Sequence, residues 1–462
     1  MASHESTDSL HVVMFPWFAY GHISPFVQLS NKLSLHGVQV SFLSTPSTVS
    51  RIKSTINLNP GVHIIPVSIP HIEGIPPGLE TTSDMTPAMA ELLKQAVDLM
   101  QPQINTLLSQ LKPHFVFFDF VYYWLPYLAS QLGIKTLYFS VYSAISDNYN
   151  LAVSRRNNHT IHDFMKPPAG FPTTSLTSLT KFEAGHSFYV LMNFDGHPSV
   201  YDRALEGYNG CTAILMKTCN EMEGPYVEYK KTQFQKPVLL TGPLVSEPPS
   251  GELDERWSKW LVRFPPKSVI FCSFGSETFL NNDQIKELAL GLELTGLPFF
   301  LVVNFPANVD AEIELLRALP EGLMERVKDI AVVHTGWVQQ QLILAHNSVG
   351  CYVCHSGFSS VLEAIMNDRQ LVLLPCKGDQ FLNAKLIAGD LRAGVEVNRR
   401  EDDGHFDKKD IFEAVKTVMV DVNKEPGMCV RENHKKWREF LRNEEIQNKF
   451  IADLVKDLKD LA

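Results

Sequence analysis

No apolar run in the 462 residues approaches the ~20 consecutive residues that a membrane-crossing helix needs, so an integral membrane protein is not expected. The opening segment, Met1 to Asp8, has neither a basic stretch nor an apolar one. No secretory leader is legible, and the expected location is cytoplasmic. Positive charge is in deficit: 41 Lys and Arg stand against 51 Asp and Glu, a formal net charge of -10. That excludes a general nucleic-acid or anionic-membrane binder, which needs a basic face. Cysteine is scarce and odd in number, seven residues set mostly in apolar runs, as expected of reduced thiols rather than a disulfide framework. Asn158-His159-Thr160 is a formal glycosylation sequon, read as chance in a chain without a leader. Asp-x-Asp is absent, so a carboxylate-held metal on a diphosphate is not suggested. Gly-x-Gly-x-x-Gly is absent after the first strand, which argues against a nicotinamide or flavin enzyme.

What is present is an alternation of short apolar runs and amphipathic stretches. One core stops growing near ~250–300 residues, so this length implies two domains. In the first half, strands are expected at Leu10 to Phe15, Val38 to Leu43, Val62 to Ile69, Phe115 to Phe118 and Lys135 to Phe139. One long helix is expected from about Pro87 to Leu111, and irregular chain from Asn157 to Ser187. The rhythm breaks at Ser246-Glu247-Pro248-Pro249-Ser250-Gly251, then restarts. Strands follow at Ser268 to Phe274, Phe299 to Val303, Ile330 to His334, Gly350 to Cys354 and Leu371 to Leu374, and the tail from Val430 to Leu461 reads as helical. Short apolar strands alternating with helices imply parallel sheets covered on both faces, the doubly wound α/β pattern. The expected organisation is a first domain at 1–245, a linker at 246–256 and a second domain at 257–435. Ligands of such sheets bind outside the carboxyl ends of the strands, so chemistry is sought just after each strand.

Three constellations stand there. His22 follows the first strand in Gly21-His22-Ile23-Ser24-Pro25, with Ser24 and Pro25 reading as helix cap and first helical position. An imidazole so presented can accept a proton from a substrate hydroxyl, although a polar loop histidine is the commoner explanation of one histidine among 16. Asp119 ends the apolar run Phe117-Phe118-Asp119-Phe120. A carboxylate in that company needs a partner, and an imidazolium would serve; a helix cap near Tyr122 is the equal alternative. The third constellation runs from Trp337 to Gln380, where a strand leads through His355-Ser356-Gly357-Phe358-Ser359-Ser360 into a helix. The helix N-terminus with Ser359 and Ser360 suits a pyrophosphate. Gly357 permits close backbone approach, His355 adds a charge-assisted bond, Glu363 can accept from a ribose diol, and Trp337 offers a flat face for a base. Cys351-Tyr352-Val353-Cys354-His355 also matches a c-type haem attachment pattern, but its cysteines sit in a continuous apolar strand and no second pair has ligand spacing.

The stretch 337–380 closely resembles the signature box of the plant family 1 UDP-glycosyltransferases, and the resemblance extends over essentially the whole chain, including the Gly-His turn, Asp119 and the Phe274-Gly275-Ser276 loop. The resemblance implies the GT-B fold: two facing Rossmann-like domains, acceptor on the first and UDP-sugar on the second, with a final helix, 436–462, crossing back to the first. It implies a general base at His22 oriented by Asp119, and uracil stacked on Trp337 beside Val338 and Gln340. Glu363 would hold the ribose, and Ser276, His355, Gly357, Ser359 and Ser360 would line the diphosphate. Asp379 and Gln380 would bind the donor sugar. Catalysis would be direct displacement with inversion, with no metal and no other cofactor, in a monomer whose partners are a UDP-sugar and a phenolic glycoside.

The chain departs from the commonest box at Gln339, where proline is usual, and at Ser356, Phe358 and Ser359, which replace cysteine, tryptophan and asparagine. With Phe15-Pro16-Trp17-Phe18-Ala19-Tyr20-Gly21-His22, these departures resemble the branch that extends sugars on flavonoid, phenylethanoid and other phenolic glycosides, nearest to its anthocyanidin-glucoside rhamnosyltransferases. The implied reaction is transfer of rhamnose from UDP-rhamnose to a sugar hydroxyl; UDP-glucose- or UDP-xylose-dependent transfer to a glycoside or aglycone is the alternative, and Gln380 does not decide between donors. A UDP-sugar epimerase of the same architecture, turning over without acceptor, and a sugar-nucleotide sensor with an idle base are the rivals from other classes.

Overall fold

The computed structural model describes residues 9–49, 59, 61–157, 160–245, 247, 251–275, 277–306 and 309–462. Ser276, the sequon's Asn158 and His159, the opening Met1 to Asp8 and most of the 246–251 break lie outside the described residues. The strands form two all-parallel sheets. The first has seven strands: β1 (His11–Phe15), β2 (Gln39–Ser44), β3 (Val62–Pro66), β4 (Phe115–Phe118), β5 (Lys135–Ser140), β6 (Ala213–Met216) and β7 (Val238–Leu240), in the order β3-β2-β1-β4-β5-β6-β7. The second has six: β8 (Val269–Ser273), β9 (Phe299–Val302), β10 (Ala331–His334), β11 (Val349–Cys354), β12 (Gln370–Leu373) and β13 (Gly394–Glu396), in the order β10-β9-β8-β11-β12-β13.

Each sheet is buried on both faces, which is why its strands read as continuous apolar runs. In β1, Val13 and Phe15 enter a core that continues into the second half through Val269 and Phe271. Val12 and Met14 face the opposite way, into a core closed by Ile451, Leu454, Val455 and Leu458 of the last helix, Glu444–Leu461. The tail therefore contains two helices, Gly427–Arg442 against the second half and Glu444–Leu461 against the first, with Asn443 capping the latter. Among the described residues no helix is long and apolar enough to cross a membrane.

Local reading misses in four places. The expected helix 87–111 is two helices, Pro87–Asp98 and Gln101–Leu111, because Pro102 has no N–H to give and its ring crowds the Asp98 carbonyl, which takes the Gln101 side-chain amide at 3.0 Å instead. The helix after β1 starts at Tyr20, not near Ser24: the Ala19 carbonyl already accepts from the His22 and Ile23 N–H groups, and Pro25 lies inside the helix. The stretch 157–187 is not uniformly irregular; capping boxes at Thr160 and Thr180 start helices Ile161–Met165 and Lys181–Phe188. Strands β6, β7 and β13 have only three or four residues, too few for a visible period.

In both sheets the strand order reverses beside the first strand, between β1 and β4 and between β8 and β11. These switch points open crevices at the carboxyl ends of the strands. His22 and Asp119 follow β1 and β4, and Gly275 and His355 follow β8 and β11.

Candidate active site

His22 occupies the first turn of helix Tyr20–Leu35, beside the end of β4. Its Nδ1–H donates to Asp119 Oδ2 at 2.8 Å; the histidine side chain is 13% exposed and the aspartate 1%. The same Oδ2 accepts the Trp17 N–H at 3.1 Å, and Oδ1 accepts the Phe120 N–H at 2.8 Å. Three donors thus meet the two carboxylate oxygens and fix the plane of the group. With the proton on Nδ1, His22 Nε2 carries the lone pair. It lies 3.4 Å from the Tyr142 hydroxyl, two residues beyond β5. Burial, then the charges of Asp119 and Asp379, push that hydroxyl well above its ordinary range, so Tyr142 keeps its proton and can donate it to Nε2. The ring of His22 packs against Phe120 and Tyr142, with centroids 5.7 and 5.3 Å away. Burial alone would lower the His22 pKa. The charge and hydrogen bond of Asp119, with Glu277 and Asp379 behind them, outweigh burial, and the net shift is upward.

Asp379, from the second half, interacts electrostatically with His22; it precedes helix Gln380–Lys385, and burial raises its pKa above the ordinary carboxylate value. Its Oδ2 accepts from Asn383 Nδ2 at 2.9 Å. Asn383 is wholly buried; it also donates to the Ser356 carbonyl at 3.0 Å and accepts from Ser143 Oγ of the first half at 2.5 Å. One amide therefore ties together the loop after β11, the loop after β12 and the loop after β5. Gln380 has turned its carbonyl inward, accepting the Cys376 and Lys377 N–H groups at 3.0 Å each, so its amide nitrogen is the end left for a ligand. A second tie between the halves runs from Thr82 Oγ1 to Glu277 Oε1, 2.8 Å.

Around β11 the remaining residues form a connected row. The imidazole of His355 is seated between two glycines: a Cβ on Gly357 would stand 2.6 Å from Nε2, and one on Gly275 3.2 Å from Cε1. Gly357 is thus required by the His355 ring, its own φ of −61° being ordinary. His355 Nδ1 is buried with no protein partner. Burial and the Lys377 charge bring its pKa to about 4, so at neutral pH the ring is uncharged. His355 therefore stands as a neutral N–H donor, and the expected bond to a pyrophosphate would take its charge from the anion. Ser359 and Ser360 lie in the first turn of helix Phe358–Met366. Gln340, at the start of helix Gln340–Ala345, donates to Ser360 Oγ at 3.3 Å and to Glu363 Oε2 at 3.4 Å, while its carbonyl accepts from Ser273 and Tyr352 hydroxyls at 3.1 and 3.0 Å. Gln341 donates to Glu363 Oε1 at 2.9 Å. Val338 is buried and its carbonyl accepts the Gln340 N–H at 2.8 Å. Trp337, 68% exposed, leaves its ring open to stack. Gln339, at a position where proline is usual, accepts the Asp254 N–H at 2.7 Å and donates to the Glu252 carbonyl at 3.0 Å, bonds that proline cannot make.

Sequence reasoning missed Tyr142, Asn383, Glu277 and Lys217, whose ammonium donates to Ser359 Oγ at 2.6 Å across the cleft. Each follows a strand or stands one helical turn from an expected residue, and that position was the available signal. All seven cysteines are free, and burial pushes the Cys351 and Cys354 thiols up, the latter to about 12, which makes them inert packing groups.

A buried histidine–aspartate pair follows the strands of the first sheet, and an exposed tryptophan, a helix opening on two serines and a carboxylate held by two amides gather around β11 of the second. Residues 269–437 match the family described as UDP-glucoronosyl and UDP-glucosyl transferase. The chain is 60% identical to an anthocyanidin-3-O-glucoside rhamnosyltransferase of Petunia hybrida, over 99% of this chain and 98% of that one. It is 41% identical to a cyanidin 3-O-galactoside 2''-O-xylosyltransferase of Actinidia chinensis, over 98% and 99%, and 41% identical to an anthocyanidin 3-O-glucoside 2''-O-glucosyltransferase of Ipomoea nil, over 98% of each. Among solved structures, UGT89C1 of Arabidopsis thaliana superposes with a TM-score of 0.74 at 23% identity, covering 98% of this chain and 100% of that one, so the two parallel sheets are the GT-B fold. With full-length identity of this order, the chain belongs to the plant family 1 UDP-glycosyltransferases.

Proposed function

We propose that the enzyme transfers rhamnose from UDP-rhamnose to a sugar hydroxyl of an anthocyanidin or other flavonoid glycoside, with inversion at the anomeric carbon. The observation that carries the donor and acceptor is the 60% identity, end to end, with a transferase named for that reaction. The relatives named for xylose and glucose transfer are less similar, at 41%.

His22 Nε2 takes the proton of the acceptor hydroxyl as that oxygen attacks the anomeric carbon; the carbon–oxygen bond to the diphosphate breaks and UDP leaves with the electron pair. Asp119 keeps the proton on Nδ1 before the step and stabilises the imidazolium after it. The upward shift of the His22 pKa strengthens the base while lowering its unprotonated fraction below neutral pH. Tyr142 holds Nε2 until an acceptor oxygen displaces it. The first-turn N–H groups of helix Phe358–Met366, with Ser360 and the His355 N–H, receive the negative charge that develops on the departing diphosphate. Trp337 holds the uracil with Val338 and Gln340 beside it, Glu363 the ribose, and Asp379 and Gln380 the hydroxyls of the transferred sugar. The step requires no metal.

Purified protein incubated with UDP-rhamnose, UDP-glucose or UDP-xylose, with and without EDTA, against paired aglycones and their glucosides tests this reading. A deoxyhexose added to the glucoside and not to the aglycone, at the same rate with EDTA, is expected. A hexose or pentose added instead overturns the donor, transfer to the aglycone overturns the acceptor, and loss with EDTA overturns metal-free catalysis.

A further inference from the structure

Lys217 directly follows β6 in the first half, and its side chain is wholly buried. The ammonium has three donors, and the acceptor it meets is Ser359 Oγ, 2.6 Å away in the first turn of helix Phe358–Met366. The Phe358 ring lies 5.6 Å from it. Glu363 is the carboxylate whose charge reaches Lys217, and that carboxylate accepts from the Gln340 and Gln341 amides.

This placement is unfavourable twice over. Burial of a cation without a counter-ion is costly. The N-terminus of a helix is the positive end of its dipole, where a second positive charge is repelled. The chain supplies its own contrast. Lys230, the other wholly buried lysine among the described residues, forms an ion pair with Asp147 at 2.9 Å and lies 4.1 Å from the Tyr208 ring. Where a lysine is buried for structure, the fold gives it a carboxylate; Lys217 has a hydroxyl. Burial accordingly lowers its pKa to about 8. Two more polar atoms in the loop before the helix, His355 Nδ1 and Ser356 Oγ, are buried without partners.

We infer that Lys217 is a donor-binding residue contributed by the acceptor half: its ammonium is the counter-ion of the nucleotide's diphosphate, so that the anion is gripped from both sides of the cleft. The inference rests on the reading of helix Phe358–Met366 as the diphosphate site. An anion there removes both penalties at once, since the ammonium gains a charge-assisted bond and the helix dipole a ligand of the right sign. Bound diphosphate would also join the halves at a point where one lysine–serine bond now does so. In the reaction the same charge offsets the negative charge building on the leaving phosphate, so Lys217 affects turnover as well as binding.

Calorimetric titration of uridine, UMP and UDP into the full chain tests it, with Lys217→Met and Lys217→Arg beside the wild type and thermal unfolding as the check on folding. The wild type is expected to bind UDP much more tightly than uridine. Lys217→Met is expected to weaken UDP about 10- to 100-fold and leave uridine within about twofold, while Lys217→Arg keeps most of the UDP affinity. In steady-state assays, the donor KM rises and kcat falls in Lys217→Met with the acceptor KM unchanged. UDP affinity unchanged in Lys217→Met, or uridine and UDP weakened alike, overturns the inference. A wild type that does not distinguish UDP from uridine overturns the diphosphate reading itself.

Discussion

Replacing Asp119 by asparagine removes one charge and turns one carboxylate oxygen into an N–H₂ donor. The two oxygens together accept three donors, the Trp17 and Phe120 N–H groups and His22 Nδ1–H, in a site where the side chain is 1% exposed. Neither orientation of the amide satisfies all three. With its oxygen toward Phe120, the amide nitrogen meets the Trp17 N–H and forces the His22 proton from Nδ1 to Nε2, the tautomer that cannot act as base. With its oxygen toward His22, the nitrogen meets the Phe120 N–H at 2.8 Å. Leaving one buried donor unmet costs about 1–3 kcal/mol of stability. The loss in rate is larger. A positioned base contributes about 10²–10⁴-fold, and the variant is expected to lose most of it in kcat/KM, about 2.7–5.4 kcal/mol of transition-state stabilisation. The pH profile isolates the cause. The wild-type base form exists above a His22 pKa that lies above 6.5, so kcat/KM rises with pH through that value. Without the Asp119 charge and hydrogen bond, burial is left to dominate, and the rise moves to lower pH even as the plateau falls. Stopped assays from pH 5 to 9 at low donor and acceptor, with circular dichroism to confirm folding, measure both. A plateau within threefold of wild type, or a rise at unchanged pH, refutes the pairing argued above.

Trp337→Ala is expected to weaken UDP by the ~1–3 kcal/mol typical of a stacked base, about 5- to 150-fold, while the unfolding midpoint stays put because the ring is 68% exposed; calorimetry and thermal unfolding read the two. Gly357→Ala has no backbone penalty at φ −61° but sets a methyl 2.6 Å from His355 Nε2, so it should cost donor affinity about tenfold with a small loss of stability, about 1–3 kcal/mol for a forced displacement of the ring.

The sheets were legible because strands buried on both faces are written as unbroken apolar runs, such as Phe115 to Phe118, and the positions just after them are where a parallel sheet puts its chemistry. His22, Asp119 and His355 were proposed on that rule, and each stands just after a strand. Helix limits were less legible: Pro25 reads as a start but lies inside a helix that Ala19 has already begun, and Pro102 splits an apparently continuous stripe. Residues that act across the cleft were invisible, because their meaning is a distance between halves. Lys217 and Ser359 are 142 positions apart and Ser143 and Asn383 are 240 apart, and neither pair has a spacing that local pattern can register. The same holds for Gln339, whose departure from the usual proline makes sense once Glu252 and Asp254 are seen beside it.

The claim on which the account turns is that His22 does the proton transfer while a separate set of residues holds the nucleotide. Transfer by His22→Ala, followed by mass of the product with UDP-rhamnose and an anthocyanidin glucoside, measured beside its affinity for UDP, tests this directly. Transfer reduced about 10²-fold or more, with UDP affinity within about twofold of wild type, is the predicted result. Transfer within a few-fold of wild type, or UDP affinity lost in parallel with it, would contradict the account.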